Sequence, residues 1–453
     1  MKKLILSLCA LFWLSFMWAQ NTVRFSGSEA ATIGVCIVDL ATGKTVISHN
    51  AEKVFIPASV MKCITSAAVV ESLNPSESPF TTVVSAYGHI ENNVLDGNVV
   101  VTGGGDPTLG SRHIGSPSRF IDAAVEWIRG QGIDSIAGDV IVVPDIYPSL
   151  GVSPYWLLED IAWEYGAGLY GFNWHDNSFS MKVSSEGVES LSPKIDGLEV
   201  VCDVRKGSRG NVMAMRGEDS YRLYVYGNIT GESYSSRYSM PYPHMVFRDV
   251  FVDALADSGV GCSEEPIETD ELISESPMLW KSPSCDDILR AMMFKSDNLY
   301  AEGMLRALTL SGDDHSVDCA LAVEKRCLEA LGLNLSGMKI ADGSGLAVTN
   351  RLSPAFLARM LTVMGKGKNA GVYKKLFPIV GKEGTVRSLL AKTRLTGRLA
   401  LKSGSMSGVL CYAGYKLDSG GRPTHAVVIM VNGFTCRGAE VRRAISNYLL
   451  SVF

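Results

Sequence analysis

Ser59 and Lys62 stand three residues apart in the stretch FIPASVMKCITSAAVVESL, residues 55–73. A serine hydroxyl is a poor nucleophile until a neighbouring base takes its proton. A lysine one helical turn later faces the same side of the helix. If burial near other cations lowers its pKa, its neutral amine becomes that base. A helix N-terminus at Ser59 would also ease negative charge there. Spacing alone does not decide, because Ser-x-x-Lys recurs at Ser336 and Lys339. Acyl transfer of this kind needs further groups. It needs a hydroxyl that relays a proton to the leaving group, an amide that holds the substrate backbone, and a cation that orients an anionic substrate.

Ser296-Asp297-Asn298 supplies a hydroxyl and an amide two residues apart, at an expected break between helices. Ser-x-Asn also occurs at Ser48/Asn50 and Ser72/Asn74, so it carries weight only in combination. Lys402-Ser403-Gly404 is the one Lys-[Ser/Thr]-Gly of the chain. It falls on an expected strand, where a glycine lets a ligand's backbone come close. Ser59 is followed by all these elements in order. Ser336, in the polar stretch NLSGMKIADG, is followed only by Lys402. Asp342-Gly343-Ser344-Gly345 reads as a turn beside the site, Glu302 as a structural helix residue and Cys63 as core.

The elements that must position these groups are visible in the periodicity. Residues 31–50 alternate apolar and polar around Ala41-Thr42-Gly43, a hairpin pattern. From Pro57 the period becomes helical, with Met61, Ile64, Ala68 and Val69 on one face. Helical spacing returns at 118–130 and at 286–310, where it breaks near Lys295–Asn298. Residues 398–431 read as one strand holding LALKSG and CYAGYKL, a turn at Asp418–Gly421, and a second strand, HAVVIMVNG. RGAEVRRAISNYLLSVF closes the chain as an amphipathic helix. The two ends are expected to pair into one antiparallel sheet with helices packed on it. Between them, short strands separated by Gly- and Ser-rich turns fill roughly 85–240.

Composition narrows the function classes. The chain is 453 residues long, 46% hydrophobic and 20% charged, with 47 acidic against 42 basic residues. That length favours more than one domain. No basic run suggests nucleic acid. The seven histidines are scattered, without a zinc-hydrolase spacing, and no Gly-x-Ser-x-Gly elbow is present. Lys2 and Lys3, the apolar run Leu4–Trp18 and Ala19 read as a cleaved secretory leader over residues 1–19. The run is short for a span that needs about 20 residues. An exported, periplasmic protein without a membrane span is expected. Removal of Cys9 leaves nine cysteines, with no spacing that specifies a pairing.

The ordered triplet Ser59-Val-Met-Lys62, Ser296-Asp-Asn298 and Lys402-Ser-Gly404 resembles the active-site serine penicillin-recognising enzymes. Four longer stretches narrow the resemblance: VVVTGGGDPTLG (99–110), SPYWLLEDIAWEYGAGLYGF (153–172), DGSGLAVTNRLSP (342–354) and GTVRSLLAKTRLTGRLALKSGSMSGVLCYAGY (384–415). They are similar to the D-alanyl-D-alanine carboxypeptidase/endopeptidase family, the class C low-molecular-mass penicillin-binding proteins. The resemblance implies an α/β (α+β) fold. A transpeptidase/β-lactamase-like domain would be built from residues 20–84 and 241–453, with a β-rich insertion over 85–240. It implies that Lys62 deprotonates Ser59, which attacks the carbonyl between two D-alanines of a peptidoglycan stem peptide. The backbone N–H groups of Ser59 and Ser405 would hold the oxyanion. Ser296, with Lys402 nearby, would pass a proton to the leaving D-alanine, and Asn298 would bind the peptide backbone. Lys402, Ser403 and Ser405, on the substrate-binding strand with Gly404, would hold the terminal carboxylate. No metal or cofactor is implied, and penicillins would acylate Ser59. Ser403 stands where the family usually has threonine, which keeps the hydroxyl. A β-lactamase would share the triplet. A catalytically idle wall-binding or β-lactam-sensing protein is the alternative of another class.

Overall fold

The computed structural model describes residues 23–116, 118–148, 150–269 and 277–453. The expected leader, residues 1–19, lies outside them. Its catalytic frame is a five-stranded antiparallel sheet. The strand order is Leu399–Met406, Val409–Leu417, Pro423–Asn432, Thr32–Asp39, Thr45–His49. The N-terminal strand lies between the last strand of the chain and its own hairpin partner, so the two ends meet in one sheet. Thr32 faces Asn432, and Asp39 faces His425.

Both faces of its inner strands are covered, which is why those strands are nearly continuous apolar runs. Side chains alternate with period two. Ile33, Val35, Ile37, Val427, Ile429 and Val431 turn to one core, shared with Val441, Ile445 and Leu449 of the C-terminal helix Gly438–Val452. Cys36, Val38, Ala426, Val428 and Met430 turn to the other. That second core takes in the helices Lys62–Ser72, Cys285–Lys295, Asn298–Ala307 and Pro354–Lys366.

LALKSG and CYAGYKL do not form one strand. The chain reverses at Ser407-Gly408 between Met406 and Val409, which face each other, and Gly408 has φ +66°. A two-residue hairpin needs positive φ, and Ser-Gly meets that need. The reversal makes Leu399–Met406 an edge strand, and Ser403-Gly404-Ser405 lies on it.

A third core gathers side chains between Val84 and Val260, joined by Met278 and Trp280. It holds a sheet containing Thr81–Glu91, Val94–Thr102 and Met278–Lys281, the helices Arg119–Gly130 and Pro243–Asp257, and two three-stranded sheets. Phe80 belongs to the core that holds the Ser59 helix, and Val84 to this third one. Loops of this region reach the catalytic frame at Ser111, Trp156 and Tyr165. No helix among the described residues is long and apolar enough to cross a membrane.

Candidate active site

Ser59 lies in a 3-10 turn, Ala58–Met61, that runs directly into the helix Lys62–Ser72. Ala58, just before it, holds φ +48°, a conformation that costs a non-glycine residue free energy and persists only where its surroundings enforce it. Two glycines provide that enforcement. A Cβ on Gly345 would lie 2.0 Å from the Ala58 carbonyl oxygen. A Cβ on Gly404 would lie 2.7 Å from the Pro57 oxygen and 2.9 Å from the Ser59 nitrogen. The close approach that Gly404 permits is thus to the protein's own backbone.

Lys62 is fully buried. Its Nζ lies 2.6 Å from Asn298 Oδ1, 2.7 Å from the Ser344 carbonyl and 3.1 Å from Ser59 Oγ. The first two are acceptors only, so they take two N–H bonds. In the neutral amine the remaining lone pair then faces the Ser59 hydroxyl. Burial pulls the Lys62 pKa from 10.5 down to about 8, against the opposing charges of Asp342, Glu302 and Asp297. The orientation of Asn298 is fixed from its other end, where Nδ2 donates to the Tyr165 carbonyl at 2.7 Å.

Ser296 reaches the same place through a chain break. The helix Cys285–Lys295 stops there because Ser296 turns left-handed, at φ +62°. Asp297 then caps the next helix by accepting from Tyr300 N at 2.9 Å. Burial raises the Asp297 pKa to about 6. Lys402, also fully buried, donates to Ser296 Oγ at 2.8 Å and to its neighbour's carbonyl, Ser403 O, at 2.6 Å. Burial, and then the charge of Lys62, hold its pKa well below the ordinary lysine value.

Ser59, Ser296, Asn298, Ser403 and Ser405 line one cleft of about 600 Å³. Lys62, Lys402 and Gly404 lie behind its wall. Ser336 and Lys339 take no part: both are exposed and neither is helical, and Lys339 lies over the Tyr155 ring. Several further cleft residues lie outside the three short motifs. Thr385 bonds the Ser403 hydroxyl at 2.7 Å, and Glu159, Asp160, Tyr165 and Arg442 form further parts of the wall. The 342–345 turn does lie beside the site and presents the Ser344 carbonyl to Lys62.

The family model of the D-Ala-D-Ala carboxypeptidase 3 (S13) family matches residues 23–451. D-alanyl-D-alanine carboxypeptidase DacB of Haemophilus influenzae is 23% identical over 430 residues, 91% of this chain and 88% of that protein. The D-alanyl-D-alanine carboxypeptidase of Actinomadura sp. (strain R39) is 24% identical over 421 residues, 85% of this chain and 75% of that one. Among solved structures, penicillin binding protein 4 (dacB) of Haemophilus influenzae superimposes with a TM-score of 0.78 at 22% identity, covering 94% of this chain and 97% of that chain. The Bd0816 predatory endopeptidase of Bdellovibrio bacteriovorus gives 0.53 at 14% identity, covering 93% of each. With a single family model spanning all three cores and every element of the cleft, this chain belongs to the D-Ala-D-Ala carboxypeptidase 3 (S13) family of peptidases.

Proposed function

We propose that this protein is an exported serine-type D-alanyl-D-alanine carboxypeptidase that cleaves peptidoglycan stem peptides through an acyl-enzyme on Ser59. The observation that carries the reading is the pair of contacts meeting at one cleft: Lys62 on Ser59, and Lys402 on Ser296. Neutral Lys62 takes the Ser59 proton as Oγ attacks the carbonyl between the two D-alanines. The amides of Ser59 and Ser405 receive the developing oxyanion. Ser296, held by Lys402, gives its proton to the leaving amine of D-alanine and receives in turn the proton that Lys62 took from Ser59, so Lys62 is neutral again. Asn298 holds the peptide backbone. Water then attacks the ester, and Lys62 again serves as base. Serine stays free and D-alanine and the shortened peptide depart, so atoms balance without a further reactant.

A cyclic amide whose carbonyl and carboxylate imitate the D-Ala-D-Ala end enters the same cleft, so penicillins acylate Ser59. Cleavage of cross-links between stem peptides would use the same acyl group with a larger leaving amine. The test is incubation of the purified protein with defined muropeptides and identification of the products. Release of D-alanine from pentapeptides supports the reading. Fast penicillin turnover without release of D-alanine makes the protein a β-lactamase, and neither reaction makes it a binding protein.

A further inference from the structure

The two buried lysines leave the cleft without a lysine on its surface, and the substrate proposed above ends in a carboxylate. Lys402 is fully buried, with its ammonium bonded to Ser296 Oγ and the Ser403 carbonyl. The period of the edge strand explains why. Ala400 turns to the core shared with the Ser59 helix, whereas Leu399 and Leu401 turn to the core under the C-terminal helix. By the same alternation, Lys402 and Gly404 face the nucleophile, and Ser403 and Ser405 face the side of the C-terminal helix.

That helix carries Arg442 just over one turn from its start. Arg442 is exposed and lines the cleft with Ser403, Ser405 and Tyr412. Its guanidinium lies beside the Tyr412 hydroxyl, on the strand paired to Ser403. Among the described residues no carboxylate pairs with it, whereas Arg437 on the same helix is paired to Glu440. It is thus an arginine on the wall of the cleft that Ser403 and Ser405 also line, with its ion-pairing capacity open.

We propose that Arg442, with the hydroxyls of Ser403 and Ser405, forms the carboxylate-binding subsite of the cleft, while Lys402 acts on Ser296 rather than on the carboxylate. The inference rests on the function proposed above. A guanidinium presents two parallel N–H donors that match the two oxygens of a carboxylate, which an ammonium does not. Thr385, bonded to the Ser403 hydroxyl, orients that donor.

The test compares kcat/KM for a D-Ala-D-Ala peptide and for its C-terminal amide in wild type, Arg442→Gln and Arg442→Lys. Acylation rates with benzylpenicillin and its methyl ester are measured in parallel. Within each protein the acid-to-neutral ratio cancels any loss of folded enzyme. Arg442→Gln is expected to lower that ratio about 10-fold or more, the weight of a charged hydrogen bond. Arg442→Lys should recover part of it. An unchanged ratio in Arg442→Gln overturns the proposal. If wild type releases no D-alanine, the proposed function fails, and the penicillin acid-to-ester ratio still decides whether Arg442 reads a carboxylate. If wild type is not acylated either, both fall.

Discussion

Acylation should follow the deprotonation of Lys62, and this can be put in numbers. Burial lowers that lysine from 10.5 to about 8. At pH 7 about one molecule in ten then carries the neutral amine, against about three in ten thousand at the ordinary value. The gain is about 300-fold, or about 3 kcal/mol. The sign follows from the role: the base is the neutral form, so activity is lost as pH falls through about 8 and is complete above it. The second-order rate of acylation by a β-lactam, followed by intact mass from pH 6 to 10, should rise about tenfold per pH unit, reach half its maximum near pH 8 and level off. Glu302→Gln removes a negative charge that opposes this shift, so its midpoint should move lower. A rate that is flat from pH 6, or that still climbs tenfold per unit beyond pH 9.5, would refute the assignment of Lys62 as a buried, neutral base.

Peptide mapping after penicillin treatment should place the adduct on the fragment containing Ser59, and an adduct on the Ser336 fragment would overturn the assignment. Gly404→Ala puts a Cβ 2.7 Å from the Pro57 oxygen, so the strand must move away from Ser59. Acylation should fall at least 100-fold, the scale of losing an aligned oxyanion donor, and a near-normal rate would show that the contact is not needed. Ser296→Gly removes both the hydroxyl and the left-handed strain at φ +62°. Ser296→Ala loses the same hydroxyl and keeps the strain, so Ser296→Gly should be about 1 kcal/mol more stable to unfolding than Ser296→Ala while both lose peptidase activity, and a glycine variant no more stable than the alanine one would refute the strain argument. Lys402→Gln should slow acid and amide substrates alike, because Lys402 holds Ser296. A loss confined to the acid would move the carboxylate contact back to Lys402.

The legibility of this molecule in its sequence varied with the distance over which each signal acts. The sheet and the Ser59 helix could be read because their periods are local and strong: Val427, Ile429 and Val431 alternate with Ala426, Val428 and Met430 between two covered faces. The reversal at Ser407-Gly408 was missed because apolar residues continue on both sides of it, so only the glycine marks the turn. The helix Pro354–Lys366 has a start signal in its sequence, Ser353 as cap and Pro354 at its first position. Ser59, Lys62, Ser296, Asn298, Lys402 and Ser403 could be named because each sits in a three- or four-residue pattern. Thr385, Tyr165 and Arg442 could not. Thr385 and Tyr165 lie inside the longer stretches 384–415 and 153–172 that carry the resemblance, but no short pattern singles either out, and Arg442 reaches the cleft from the C-terminal helix with no pattern around it.

The acids around Lys62 show what the local pattern leaves out. A carboxylate touching Lys62 would hold the proton on it and raise its pKa, which would disable the base. Asp342 and Glu302 are close enough to oppose the shift, yet neither bonds to Lys62. Their oxygens are taken up elsewhere. Asp342 accepts from Gly345 N at 2.9 Å, Ala347 N at 2.6 Å, Asn350 Nδ2 at 2.7 Å and Trp156 Nε1 at 2.9 Å. Glu302 accepts from Ser344 N at 2.8 Å and Gly343 N at 3.2 Å. Those bonds fix the turn, and the turn offers Lys62 the neutral Ser344 carbonyl. The charge needed to shape the loop is thereby kept off the amine that the loop positions. Asn298 does the same from the other side, contributing an amide oxygen rather than a carboxylate. An aspartate at 298 would preserve the geometry but restore the proton, so in the proposed mechanism the amide is the feature that lets a buried lysine serve as a base near neutral pH.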